Sequence, residues 1–258
     1  MRSLNQLSGI VEAEFKVLRR EAGIFLLIMS MPFMFSLLSY GVGIALTGGQ
    51  APPTLWFYQL IGFTVLVMAQ VMSSSSAWYF RRGMMTGRLE YLLASPVSPL
   101  VAVFSSALAN MAFNIAYFIL VASIGVALVF GAQYLLNVLA VILFLGLALI
   151  PVVGFNLIVG VVTIIFREPE PVSNVINSII SSVSGFTYPL VLLPRFLQVV
   201  GTVLPYSHIV NTARDILSGA FQPASIYPFP FMVGYLILGV LVYRLGEVNY
   251  ARKRGVHW

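Results

Sequence analysis

Residues 81–99 read RRGMMTGRLEYLLASPVSP, a polar island in an otherwise apolar chain. The island holds Arg81, Arg82, Arg88 and Glu90, whereas no Asp, Glu, Lys or Arg occurs over 22–80 or over 91–166. A charged side chain at the bilayer centre is disfavoured by roughly 3 kcal/mol on insertion scales. The flanks therefore suit lipid and the island does not. This division predicts membrane-spanning helices on both sides of a water-facing loop.

The bulk composition agrees. The 258 residues are 59% hydrophobic and 9% charged, against about 25% charged in ordinary soluble domains. Mean hydropathy is +0.96. One soluble core cannot hide that much apolar surface, so the expected fold class is an all-α polytopic membrane protein. A pI of 9.7 raises the question of nucleic acid. The basic residues, however, sit at the ends of apolar runs, where membrane topology puts them, and no nucleic-acid partner is expected. Cysteine is absent, which removes disulfides, thiolate catalysis and cysteine metal sites. Residues 1–21 lack the apolar core of a cleavable signal.

Outward from the island, the chain divides into six expected spans. Ahead of them, Leu4, Leu7, Val11, Phe15 and Leu18 recur on one helical face, with Lys16, Arg19 and Arg20 on others. Residues 1–21 are therefore read as an amphipathic helix at the cytoplasmic interface; a solvated helix with no partner fits the same pattern. Spans are expected at 22–46, with Pro32 as a possible kink, and at 55–79, bordered by Trp56, Tyr58, Trp78 and Tyr79. After the island come 100–130, a turn at 131–134, and 135–166 with Pro151 near its middle. REPEP (167–171) is a second charged loop before a span at 172–193. Residues 188–228 carry five prolines with Arg195, Arg214 and Asp215, too polar and broken for one span. There, 196–203 and 208–217 are read as short helices of a re-entrant or surface-lying hairpin. The last span is 229–245, followed by a tail at 246–258.

Basic residues fix the orientation. Four precede Ala22, three lie in the island, Arg167 is in REPEP, and four lie from Arg244 onward; only Arg195 and Arg214 remain for the other side. The positive-inside rule makes both termini cytoplasmic and the 188–228 hairpin extracytoplasmic.

No phosphate-binding loop is present, and Lys16 and Lys253 follow no glycine-rich turn. No carboxylate lies within a span to couple protons or sodium. His208 and His257 fall on opposite predicted sides, which disfavours a shared metal or catalytic site. No catalytic residue, metal site or bound cofactor is assigned to this chain. It reads as the passive half of a machine powered from outside.

Within the island, Thr86 and Gly87 can start a helix, Glu90 falls in its first turn and Pro96 stops it. Leu89, Leu92 and Leu93 share one face, suited to the membrane side or to a partner groove. Arg81, Arg82 and Arg88 can meet acidic groups or lipid phosphates. An ordinary amphipathic cytoplasmic turn has the same composition.

The motif goes further. Gly87, Leu89, Glu90, Leu92, Leu93 and Pro96 match the G-T-L-E-x-L-L-x-x-P pattern after span two in type-2 ATP-binding-cassette exporter permeases, with Arg88 in place of the commoner Thr. FREPEPVSN resembles that family's loop before span five. YPLVLLP, LPYSH and ARDILSG resemble its external hairpin. The resemblance runs along essentially the whole chain. It implies that 81–99 carries a coupling helix seated in a groove of a separate ATPase, which holds ATP and Mg. It also implies a second permease chain, identical or not, within the plasma membrane of a prokaryote.

Span five carries Asn174, Asn177, Ser181, Ser184 and Tyr188 at spacings of 3, 4, 3 and 4. In the family, span five lines a pathway at the permease dimer interface. Packing within one subunit fits the stripe equally well. Asn110, Asn114 and Asn156 read as internal hydrogen-bond partners. Two other functional classes remain: an ATP-independent transporter or channel, which the absence of intramembrane charge disfavours, and an integral-membrane transferase, for which Glu168 and Glu170 are the nearest acids.

Overall fold

In a computed structural model, the structure describes residues 22–49, 52–85, 131–166, 169–226 and 228–246, with scattered positions before 22 and between 105 and 127. Every regular element among the described residues is helical. The helices are α1 (Ala22–Leu46), α2 (Pro53–Met85), α3 (Leu135–Phe166), α4 (Pro169–Val183), α5 (Arg195–Val203), α6 (Pro205–Ser218) and α7 (Pro228–Gly246).

The ends of these helices follow local chemistry. α1 stops at Leu46, where Gly48 and Gly49 take φ values of 64° and 95°. α2, α4, α6 and α7 each begin with proline, whose fixed φ suits the first turn and whose missing N–H has no helical partner there. α3 follows Gly131, with φ 94°, and a 3-10 turn at Ala132–Tyr134. α6 ends at Gly219, left-handed at φ 74°, and the Ala220 N–H bonds back to the Asp215 carbonyl at 2.9 Å.

Three stretches are long and apolar enough to cross a bilayer among the described residues: Thr54–Ser74, Leu135–Val162 and Pro228–Leu245. Ser30–Leu46 in α1 is a shorter apolar segment. The chain is thus an all-helical, multi-pass membrane protein. Expected spans 22–46 and 135–166 coincide with α1 and α3, and 229–245 with α7 to within a residue at each end. Most of expected span 100–130 lies outside the described residues, but Ser105, Leu108, Ala109, Ala112, Ile115 and 123–127 are helical. Before α1, Gly9, Glu12, Lys16, Arg19 and Arg20 are helical too. Glu12 and Lys16 pair one turn apart at 2.8 Å, and the Lys16 hydrogen bond holds the Glu12 carboxyl below its usual range.

Two expectations need correction. The second span does not give way to a loop at Arg81: α2 continues through Arg81–Met85, because those residues are good helix formers apart from Gly83. The fifth span does not run to Leu193. α4 ends at Val183, and its 15 residues rise only about 22 Å, short of a ~30 Å hydrocarbon core. Gly185 turns the chain at φ 73°, and Pro189 and Pro194 take extended backbone on either side of a 3-10 turn at Leu190–Leu192. That segment is mostly apolar, but its backbone is not α-helical.

α3 is the hub of the packing and contacts α2, α4, α6 and α7, while α1 lies along α2. Leu145, Val152 and Val153 of α3, Val65 of α2 and Ile209, Val210 and Ala213 of α6 meet in the core. α3 and α7 touch backbone to backbone. A Cβ on Gly154 would lie 2.3 Å from the Leu236 Cα, and one on Gly239 would lie 2.0 Å from the Gly154 carbonyl oxygen. Only glycine permits that approach.

Candidate functional site

The site is built where α2, α4 and the α5–α6 hairpin converge. Its centre is Arg214 of α6, buried among apolar residues. Its Nη1 donates to the Gly185 carbonyl at 2.8 Å, its Nη2 to the Phe186 carbonyl at 2.5 Å and its Nε to the Tyr58 carbonyl at 3.2 Å. The guanidinium carbon also lies 3.4 Å from the centroid of the Tyr58 ring. A guanidinium is always charged and presents a rigid fork of donors. Here the fork ties the turn after α4 to α2, and so stabilises a bend whose carbonyls have left the helical ladder.

Further bonds reinforce the turn. Gln59 Nε2 of α2 donates to the Thr187 carbonyl at 3.1 Å. Gly62 of α2 sits so close that a Cβ there would fall 1.7 Å from the Phe186 oxygen. Tyr188 folds back, its hydroxyl donating to the Ser182 carbonyl at 2.5 Å. The hairpin is closed by Ser207 Oγ donating to the Gly201 carbonyl at 2.5 Å. His208 Nε2 lies 2.8 Å from the Thr202 carbonyl, so the ring is occupied within the hairpin. Sequence reading used Arg214 to count charge, to mark 188–228 as too polar for one span and within the ARDILSG stretch, but gave it no site role. Its isolation in a proline-rich, mostly apolar stretch was the available signal.

The polar stripe of α4 is divided between two environments. Ser184 is fully buried, and Asn177 is half-buried, with its Nδ2 3.5 Å from the Ser74 hydroxyl of α2. Asn174 is exposed and Ser181 half-buried. Ser184 and Tyr188 both lie beyond the helix end at Val183, so neither continues the stripe along α4. The open face of α4 runs instead through Asn174, Val175, Ser178, Ile179 and Ser182, with Val175 60% and Ile179 51% exposed. On α5, Phe196, Val199 and Val203 are likewise exposed, Phe196 at 69%. Asn156 is fully buried on α3, and Asn110 and Asn114 lie outside the described residues.

Of the coupling residues, Arg81 and Arg82 stand on the last turns of α2. Gly87, Arg88, Leu89, Glu90, Leu92, Leu93 and Pro96 lie outside the described residues.

The family model described as ABC-2 type transporter matches residues 5–218. The chain belongs to this family. A comparison with curated proteins returns no match. An ABC-2 permease is the transmembrane component of an ABC-type transporter, a transport chain without its own ATPase site, and ABC ATPases are its general partners. In this ABC-2 chain the matched region takes in the island at 81–99, α4, the Arg214 turn and the whole α5–α6 hairpin.

Proposed function

We propose that the chain is the permease subunit of an ABC exporter, working with a second permease chain and two separate ATPase subunits that hold ATP and Mg. The observation that carries this reading is the ABC-2 match over 5–218, which spans the G-R-L-E-Y-L-L-A-S-P motif. The coupling segment is 81–99, its first five residues being the end of α2. Gly87 and Pro96 bound a short helix, Leu89, Leu92 and Leu93 give it an apolar face, and Glu90 with Arg81, Arg82 and Arg88 sets its polar contacts with the ATPase. Because α2 is helical through Met85, a push on the loop acts directly on a helix that packs against α1, α3, α4 and α6. ATP-driven closure of the ATPases then moves these helices as packed bodies. Both termini and the coupling loop face the cytoplasm of a prokaryotic cell, and the α5–α6 hairpin faces outward.

The substrate pathway lies between the two permeases, along α4. Its open face combines Asn174, Ser178 and Ser182 with Val175 and Ile179, a mixture that can face a second chain or a passing amphiphile. Asn177, Ser181 and Ser184 tune the packing of α4 on its own subunit, and Tyr188 holds the bend that ends it.

Co-purification and ATP hydrolysis test the coupling. Leu92→Ala and Glu90→Gln are each expected to weaken ATPase association or substrate-stimulated hydrolysis, on the order of tenfold for an interface anchor. If association and hydrolysis are unchanged in both variants, the coupling assignment is wrong.

A further inference from the structure

A cavity of about 580 Å³ opens beside the Arg214 turn, between the start of α2, the 3-10 turn before α3 and the last turns of α6. This is within the size range of small-molecule sites. Phe57, Tyr58, Tyr134, Asn211, Arg214 and Asp215 contribute to its wall. It is not part of the α4 face argued above for the pathway.

The charges in this wall are in unequal situations. Arg214 reaches past the cavity to three backbone carbonyls and one face of Tyr58. Asp215 is half-buried and receives the Ser225 hydroxyl on Oδ2 at 3.2 Å, but forms no ion pair with any described residue. The same wall holds Phe57 and Tyr134, whose rings pack at a centroid distance of 5.5 Å. A half-buried carboxylate beside aromatic faces is the chemistry that recognises organic ammonium groups, because ring quadrupoles and the anion attract the same cation without demanding that it shed an ordered water shell. Arg214 also lines the cavity, but its guanidinium is committed to three carbonyls and the Tyr58 ring, which leaves Asp215 as the charged group without such a set of partners.

We propose that this cavity binds an organic ammonium group borne on an apolar or aromatic body. Asp215 supplies the countercharge, Tyr134 and Phe57 the cation-facing rings, and Asn211 a hydrogen bond at the rim. The ammonium can belong to a soluble amphiphile or to an aminophospholipid headgroup.

The test titrates the full chain in detergent with benzyltrimethylammonium by calorimetry, with 2,2-dimethylpropylbenzene as its uncharged isostere. Binding of the cation, at least about tenfold weaker in Asp215→Asn and in Tyr134→Leu, is expected. Asp215→Asn keeps an acceptor for Ser225, so its thermal unfolding should match the parent chain, and Tyr134→Leu provides an independent reading if it does not. Equal binding of the two probes, or unchanged affinity in both variants, overturns the proposal. Repeating the titration in phosphatidylethanolamine and phosphatidylglycerol nanodiscs identifies the source. Competition in the first alone assigns the site to the lipid headgroup, and equal affinity in both assigns it to a soluble cation.

Discussion

At the scale of single residues, Arg214 and Gly62 work as a pair. Arg214 satisfies the Gly185 and Phe186 carbonyls, which have left the helical ladder and which its removal would leave buried, each at a penalty of about 1–3 kcal/mol. Arg214→Ala is therefore expected to destabilise the chain by about 3 kcal/mol or more. Arg214→Lys should recover little, since a single ammonium cannot reproduce the fork. Gly62→Ala places a Cβ 1.7 Å from the Phe186 oxygen and 2.6 Å from Arg214 Nη2. It is expected to cost about 1–3 kcal/mol as an overpacked site, or more where backbone cannot yield. Gly146 is the control: nothing lies near a Cβ built there, so Gly146→Ala should be neutral or stabilising by about 0.5–1 kcal/mol. Thermal unfolding in detergent measures all four. Equal melting of Gly62→Ala and Gly146→Ala would remove the close approach from the account.

At the scale of elements, the decisive feature is the early end of α4. Gly185 holds a positive φ of 73°, and a Cβ there would also crowd the Leu190 side chain at 3.2 Å. Gly185→Ala should destabilise by about 1–2 kcal/mol, the penalty for an L residue in left-handed backbone. Loss of the bend would show as weaker protease resistance of the hairpin; unchanged resistance and melting would contradict the strain. The same element marks how far sequence reaches. α1 and α3 were legible because long uncharged runs are bounded by glycine turns. The two hairpin helices were legible as short helices at 196–203 and 208–217, but the second starts three residues earlier than expected, at Pro205, whose fixed φ suits a first turn. The end of α4 was not, because the run from Val183 to Leu193 stays apolar while its backbone leaves the helix, and hydropathy registers only the first of these. The expected stripe put Asn174, Asn177 and Ser181 on α4, yet spacing alone did not separate Asn177, which meets Ser74, from Asn174, which is open. Arg214 was hidden for a different reason: its partners are backbone carbonyls, at Gly185, Phe186 and as far away as Tyr58, and carbonyls leave no mark in a sequence.

At the scale of the whole molecule, α3 gathers most helices around itself while α4 and α5 keep apolar faces uncovered. The chain lacks cysteine, so single cysteines report cleanly on the proposed permease interface. In a complex of two identical chains, Ile179→Cys is expected to give an oxidised dimer on a non-reducing gel, and Val152→Cys, fully buried, to give none. A monomer from both would move the interface away from α4. The glycine crossing of Gly154 and Gly239 bears on how such a complex can work. With no side chains between them, α3 and α7 have no room to slide or roll, since any shift drives one main chain into the other. They therefore act as one fixed girder. Any relative movement of helices within this chain is therefore left to contacts other than this crossing.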